Sequence, residues 1–323
     1  MNVLISSAGR RGNLVRLFRE AVQPLEGQIF ATDAGRWSAA CRLAHDWDLV
    51  PLCSEDSFIP TILDICNKRN IKLIILTIDT ELQIFSEHRE HFAENGIHVA
   101  VSGLETIDIC RDKLLTYEFL AKNKLPGAKI LPIPSDDSPT GFPFPVVIKP
   151  RFGSASEGVN IINDEAALRF YLNRTTDPIV QEKAAGKEYT VNFFADGLGG
   201  CITSVPHRRI EVRGGEVSKC VTEKIEDLGA LANSICRMLP DAWGPMCFQA
   251  FVDDLGNIHI IEINARFGGG YPIAHAAGAD FIQMLLRHVR GEALAPADIE
   301  WQEGIAMTRW DDAVFTNAAD VGL

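Results

Sequence analysis

Gln249, Glu262, Asn264 and Arg266 bring two side-chain amides, a carboxylate and a guanidinium together in one short stretch. Oxygen donors of that kind suit Mg²⁺, which binds through few protein carboxylates and takes its other ligands from phosphate and water. A neighbouring guanidinium suits a phosphoryl group in transfer or a developing acyl phosphate. The stretch, MCFQAFVDDLGNIHIIEINARFGGGY over residues 246–271, reads as two strands joined by a turn at 253–257, with a glycine-rich exit. Alternation places Ile260, Glu262 and Asn264 on one face and Ile261, Ile263 and Ala265 on the other. Folding about Leu255 sets Gln249 opposite Glu262, to within about one residue. The hairpin alone reads equally well as a sheet element with one solvated polar face, so the rest of the chain has to decide.

Lys113 stands at the start of a helix that stops near Pro126-Gly127, where an ammonium can reach a phosphate. Taken singly it is an ordinary surface lysine. Lys149 ends the apolar strand PVVIKP, and the loop RFGSASEG over 151–158 follows it. Such a loop between two strands leaves the backbone N–H groups of Gly153, Ser154, Ala155, Ser156 and Gly158 free to fold over phosphates. It is not a Walker loop, having no Gly-Lys-Ser/Thr and no helix after it, and by itself it reads as a flexible hairpin tip. The next strand, PIVQEK, runs into AAGKEYTV. An edge strand there would offer Glu182, Lys183 and Ala184 to an adenine, with Glu188 within reach of ribose hydroxyls.

These groups need elements to hold them. The chain of 323 residues is long enough for two or three cored units, and 46% hydrophobic with 23% charged residues is ordinary for a globular protein. A net charge of −12 argues against a nucleic-acid surface, so an anionic ligand must be met by local clusters of Lys and Arg. Eight scattered cysteines show no metal spacing and read as small core residues. Structure begins at once with Met1–Ile5, and no apolar run approaches the roughly 20 residues of a membrane span. A cytoplasmic protein with no membrane partner is expected, and a homo-oligomer is compatible with all of this.

In the first hundred residues strands alternate with amphipathic helices, as in a doubly wound α/β domain. Gly9 and Gly12 follow the first strand and Asp33 ends the second, which is half of a dinucleotide fingerprint without its full GxGxxG. A tight strand-to-helix turn explains the glycines as well. Arg10, Arg11, Asp79 and Glu81 lie at strand ends, where such sheets bind ligands, and are candidate substrate contacts. The two acids are equally at home at a helix N-terminus.

The order of these pieces resembles the ATP-grasp superfamily, and within it the carbamoyl-phosphate-synthase-like proteins. The motifs carrying the resemblance are a helix-start lysine, a strand-end lysine, a Gly-rich hairpin, Gln-Glu-Lys with GKEYTV, and Glu262-Ile-Asn264-Ala-Arg266, with TIDTEL at 77–82 as a further match. The resemblance implies an N-terminal α/β domain over 1–102 before a two-lobed ATP-grasp domain, its small lobe 103–182 carrying the lid and its large lobe 183–323 the metal. It implies that Lys113 and Lys149 contact ATP phosphates and that 153–158 forms the phosphate lid. Glu182, Lys183 and Ala184 would hold adenine and Glu188 ribose. Gln249, Glu262 and Asn264 would hold one or two Mg²⁺ ions, with Mn²⁺ as a substitute, and Glu262 would bridge the two. Arg266 and Lys149 would be the catalytic cations.

The implied reaction is ATP-dependent joining of a carboxylate to an amine, or to a thiol, through an acyl phosphate, with an amino acid or a similar small metabolite as the expected substrate. Kinase-like phosphoryl transfer and a non-catalytic ATP sensor are the alternatives. Candidate substrate contacts are Arg208, Arg209 and Arg213 in an Arg-rich hairpin, and Gly269 and Gly270 beyond the metal hairpin. Alternation groups Arg209, Glu211 and Arg213 on one face and Arg208 with Ile210 and Val212 on the other. The carbamoyl phosphate enzymes have duplicated halves and a glutamine-hydrolysing partner. No internal repeat or amidotransferase segment shows here, which argues against the full carbamoyl phosphate reaction.

Overall fold

The computed structural model describes residues 1–133, 141–154, 156–293 and 299–322. The loop position Ala155 therefore lies outside the described residues. The first sheet contains β1 (Asn2–Ser6), β2 (Ile29–Asp33), β3 (Asp46–Leu49), β4 (Ile71–Leu76) and β5 (His98–Ala100). All pair in parallel, in the order β3-β2-β1-β4-β5. Val3, Leu4 and Ile5 are fully buried because helices cover both faces, which is why this strand reads as a continuous apolar run. The helix Gly12–Val22 covers one side with Leu14, Val15, Phe18 and Val22, at helical spacing. The loops after β1 and β4 leave from neighbouring carboxyl ends of this sheet, the usual place for a ligand.

A small antiparallel sheet has the order β6-β9-β7-β8, from Ile130–Leu131, Pro178–Glu182, Val146–Pro150 and Asn160–Ile162 respectively. The helix Glu165–Leu172 packs Leu168 against Val146, Ile148, Ile162 and Val180. The strand expected at an edge, β9, is flanked on both sides. Backbone groups offered to an adenine would have to lie beyond Glu182, since the Glu182 N–H already donates to Lys129 O.

The large sheet runs β14 (Ile258–Asn264), β13 (Trp243–Val252), β10 (Lys187–Asp196), β11 (Cys201–Arg213), β12 (Glu216–Thr222) and β15 (Ala306–Thr308). One face carries Val191, Phe193, Met246 and Phe248 and lies in one core with Leu228, Ala232 and Ile235 of the helix Glu226–Met238. The other face carries the polar residues of the site. Over 301–315 the chain contributes the short β15 and then an irregular tail. Among the described residues no helix is long and apolar enough to cross a membrane.

Candidate active site

The turn at 253–257 sets the register of the hairpin, pairing Gln249 with Glu262 and Cys247 with Asn264. Next to this, Ala250 pairs with Ile260, so Ile261 is a bulged extra residue. The bulge corrects simple alternation. Ile260 leaves the face of Glu262 and joins the core at 1% exposure, while Glu262 and Asn264 stay half-buried on the polar side. Asn264 Nδ2 donates to Glu262 Oε1 at 3.1 Å. The same face continues across β10 and β11, where Gln249 pairs with Thr190 and Thr190 with His207.

Arg209 lies on that face and is almost completely covered. Its Nε is 2.9 Å from Glu188 Oε1, and Nη1 donates to Thr190 Oγ1 at 3.1 Å. Glu188 is thus held by a guanidinium. Burial raises its pKa, opposed by Arg209 and reinforced by the charge of Glu262. The other two arginines proposed with Arg209 do not join it. Arg208 lies on the opposite side, with Nε 2.7 Å from Glu223, which also accepts from Tyr189. Arg213 is exposed and pairs with Asp311 in the tail.

From the small sheet, Lys149 faces the hairpin. It is 5% exposed, and Nζ donates to Gln181 Oε1 at 2.9 Å. Burial pushes its pKa down to about 8, while the Glu262 carboxylate works the other way. Lys113 also feels Glu262, and its Nζ donates to Gly153 O at 2.8 Å. Asp112 explains that position. It caps the helix Lys113–Lys122 through the Leu114 N–H and takes both arms of Arg151, the first residue of the loop. Sequence reading missed this clamp, although Asp before a helix is a capping signal. Gly153 has φ +119° and Gly158 +71°, conformations glycine adopts without strain. Ser154 lines a cavity of 80 Å³ with Gln249, Glu262, Asn264 and Arg266. Lys183 is exposed and Ala184 half-buried at the strand-to-strand connection.

Arg266 forks onto Asp79, with Nε to Oδ1 at 2.8 Å and Nη2 to Oδ2 at 2.6 Å. Burial works against its charge, but Asp79 more than offsets this and raises the guanidinium pKa. Asp79, proposed as a substrate contact, is therefore the partner of Arg266 and joins the first sheet to the hairpin. Glu81 needs a firmer correction. It is 1% exposed and accepts from Ser6 at 3.0 Å and Ser7 at 2.6 Å, facing the turn after β1 rather than a ligand. Burial pushes its pKa up to about 7. A carboxyl whose folded pKa exceeds its unfolded value favours folding when protonated, so its contribution is lost as pH rises from about 4.5 to 7. Glu81→Gln should flatten stability across that window and raise it by ~2 kcal/mol at pH 8, as urea titrations at several pH values would show.

Arg11, a candidate substrate contact, is joined by Glu216 and Arg309, which were not foreseen. Arg11 Nη1 lies 2.8 Å from Glu216 Oε1, and Arg309 binds both the other oxygen of Glu216 and Gly269 O. Gly269 and Gly270 fit between these groups. A Cβ on Gly269 would sit 2.7 Å from Arg11 Nη1, and one on Gly270 would sit 2.6 Å from His207 Nε2. His207 is fully buried, and desolvation pushes its pKa down to about 3, so it is neutral. Arg10 is exposed at the mouth of a 650 Å³ cavity beside this cluster.

The donors suit a hard cation. Among the described residues no three His, Cys, Asp or Glu side chains are placed to hold a metal alone. Glu262 with the amide oxygens of Gln249 and Asn264 fits an ion that completes its shell with phosphate and water.

A family model for the PylC-like N-terminal domain matches residues 3–100, and one for the ATP-grasp domain matches 110–270, which contains both lysines, the Gly-rich loop and the hairpin. The chain belongs to the ATP-grasp superfamily. Among curated proteins this ATP-grasp chain is 22% identical over 260 residues to the carbamoyl phosphate synthase large chain of Clostridium acetobutylicum. That match covers 74% of the chain and 24% of the relative, so the chain spans about a quarter of the enzyme's length. It is 23% identical over 210 residues to the phosphoribosylamine–glycine ligase of Thermococcus gammatolerans, covering 61% of the chain and 46% of that ligase. Among solved structures, the biotin carboxylase domain of the Hydrogenobacter thermophilus 2-oxoglutarate carboxylase, a dimer complexed with MgADP, ADP and bicarbonate, superposes with a TM-score of 0.72. It covers 93% of this chain and 72% of that one at 18% identity. The ATP-grasp fold, with an α/β domain before it, accounts for all three sheets.

Proposed function

We propose that the protein is an ATP- and Mg²⁺-dependent ligase that joins a small carboxylate to an amine through an acyl phosphate. The observation carrying this reading is the opposition of Lys113 and Lys149 to the Gln249/Glu262/Asn264 hairpin, with Glu262's charge felt at both lysines. A triphosphate between them would meet cations on one side and metal-holding oxygens on the other. In this reading residues 1–102 support the site, 103–182 form the small lobe with its lid, and 183–323 form the large lobe with the metal.

A carboxylate is a poor electrophile at neutral pH. Its oxygen attacks the γ-phosphorus, the bond to the β-phosphate oxygen breaks, and ADP leaves. The amine then attacks the acyl carbon, phosphate departs, and the amine loses a proton. Glu262, Gln249 and Asn264 would hold Mg²⁺, which supplies charge neutralisation on the phosphates. Lys149 and Arg266 would steady charge developing on the transferred group, and Ser154 with its neighbours would exclude water. Most of the catalysis is positioning, and a Ser-His or Cys-His nucleophile is unnecessary.

Incubating the protein with MgATP and a panel of carboxylates and amines tests the reading. Equal release of ADP and phosphate, dependent on both partners, is expected. ADP without free phosphate would make the protein a kinase, and nucleotide binding without turnover on any pair would leave a sensor.

A further inference from the structure

We propose that the 650 Å³ cavity beside the hairpin seats an organic acid of amino-acid to short-peptide size, and that bicarbonate is not its occupant. The acid's carboxylate lies on the cluster of Arg11, Glu216 and Arg309, and its hydrocarbon part lies along the C-terminal tail. This narrows the ligase reading, on which it rests for the fate of the acid but not for its binding.

Five separate parts of the chain enclose the cavity: residues 10–16 after β1, residues 39–43, residues 213–218 where β11 turns into β12, the stretch from Gly268 to Ala276, and the tail from Ile305 to Val314. Its inner end is shared with the small cavity of the hairpin, since Arg11, Glu216, Gly268 and Gly269 line both. A group bound on those residues is therefore next to Glu262 and Arg266. Five arginines line the large cavity against three carboxylates. Two of the arginines are neutralised along the tail, Arg16 by Asp312 at 2.7 Å and Arg213 by Asp311 at 2.6 Å. Arg10, Arg11 and Arg309 then gather about the single carboxylate of Glu216. In a chain of net charge −12 this is a local positive surplus placed where an anion would meet the γ-phosphate.

Size and lining decide which anion. Small-molecule sites run from about 300 to 1,000 Å³, and bicarbonate is little larger than a water molecule, which takes about 30 Å³ of liquid. Bicarbonate would leave most of the space unused. It would also leave an apolar wall uncovered, formed by Leu14, Leu43, Pro272, Ile273, Met307 and Trp310. An acid with a hydrocarbon body covers that wall while its carboxylate stays on the arginines.

Calorimetric titration of the full chain, with a non-hydrolysable MgATP analogue present, tests the assignment using leucine, methionine, phenylalanine and dileucine as probes, with bicarbonate in parallel. Saturable binding of at least one organic acid is expected. Arg309→Gln should weaken it about tenfold or more. Ala276→Trp, at an exposed position on the cavity wall, should weaken the bulkier acids in the same way. Both variants should bind the nucleotide analogue within about twofold of the parent, which separates loss of the cavity from loss of the fold. The assignment is overturned if no organic acid binds, if both variants bind the acids like the parent, or if, in a parallel assay with MgATP itself, bicarbonate alone drives ADP release. Acid binding that tracks the variants, with no ADP formed from MgATP in the parallel assay on any acid and amine pair, would support the cavity and remove the ligase reading.

Discussion

Glu262→Ala is expected to lower Mg²⁺-dependent ATP turnover by roughly 10²–10³-fold or more, because the hairpin then keeps two neutral amides and no anionic ligand. Glu262 is half-buried, and its hydrogen bond comes from Asn264 two residues away, so the fold should survive. ADP release as a function of Mg²⁺, with a thermal melt of the same sample, reads both properties. Near-normal turnover would remove Glu262 from the site. A collapsed melt would make it a structural residue instead.

Arg266→Ala should cost stability as well as activity. The guanidinium is 9% exposed and its partner Asp79 is 21% exposed, so the change leaves a largely covered carboxylate without its counter-charge. Breaking such a pair from one side costs about 3–5 kcal/mol. Adding Asp79→Ala should recover much of that loss, since the second change removes the stranded charge. Turnover should stay low in the double variant if Arg266 also steadies the phosphoryl group. Recovery of turnover together with stability would reduce Arg266 to a strut between the first sheet and the hairpin. Urea titration and ADP release on the three variants separate these outcomes.

Local signals carried some of this architecture. Buried runs such as Val3–Ile5 announce parallel strands because both faces are covered. The tight turn at 253–257 leaves little freedom in register, so the opposition of Gln249 and Glu262 could be read from one dimension. The bulge at Ile261 could not. It arises because Ile260 must dock in the core and pair its backbone with Pro126 and Ala128, while Glu262 must face the other way. Neither demand is visible in a window of alternating residues. Arg208 and Arg209 are a similar case. Alternation says that they face apart, and only the helix Glu226–Met238 covering one side determines that Arg209 is the inward one. Arg309 and Glu216 were overlooked because each looks like a surface charge until the tail is laid against the turn at Gly269.

The contacts that close the site join residues far apart along the chain. Asp79 and Arg266 are 187 positions apart, and Arg16 and Asp312 are 296 apart. During synthesis the first sheet emerges from the ribosome long before its partners exist, with Asp79 and Arg11 still in water. The parallel strands can pair at that stage, since everything they need has already been made. The ligand pockets cannot, because one wall belongs to residues 305–314, made long after that sheet. Binding competence should therefore appear abruptly, once residues 305–314 have left the ribosome, rather than growing as the chain lengthens.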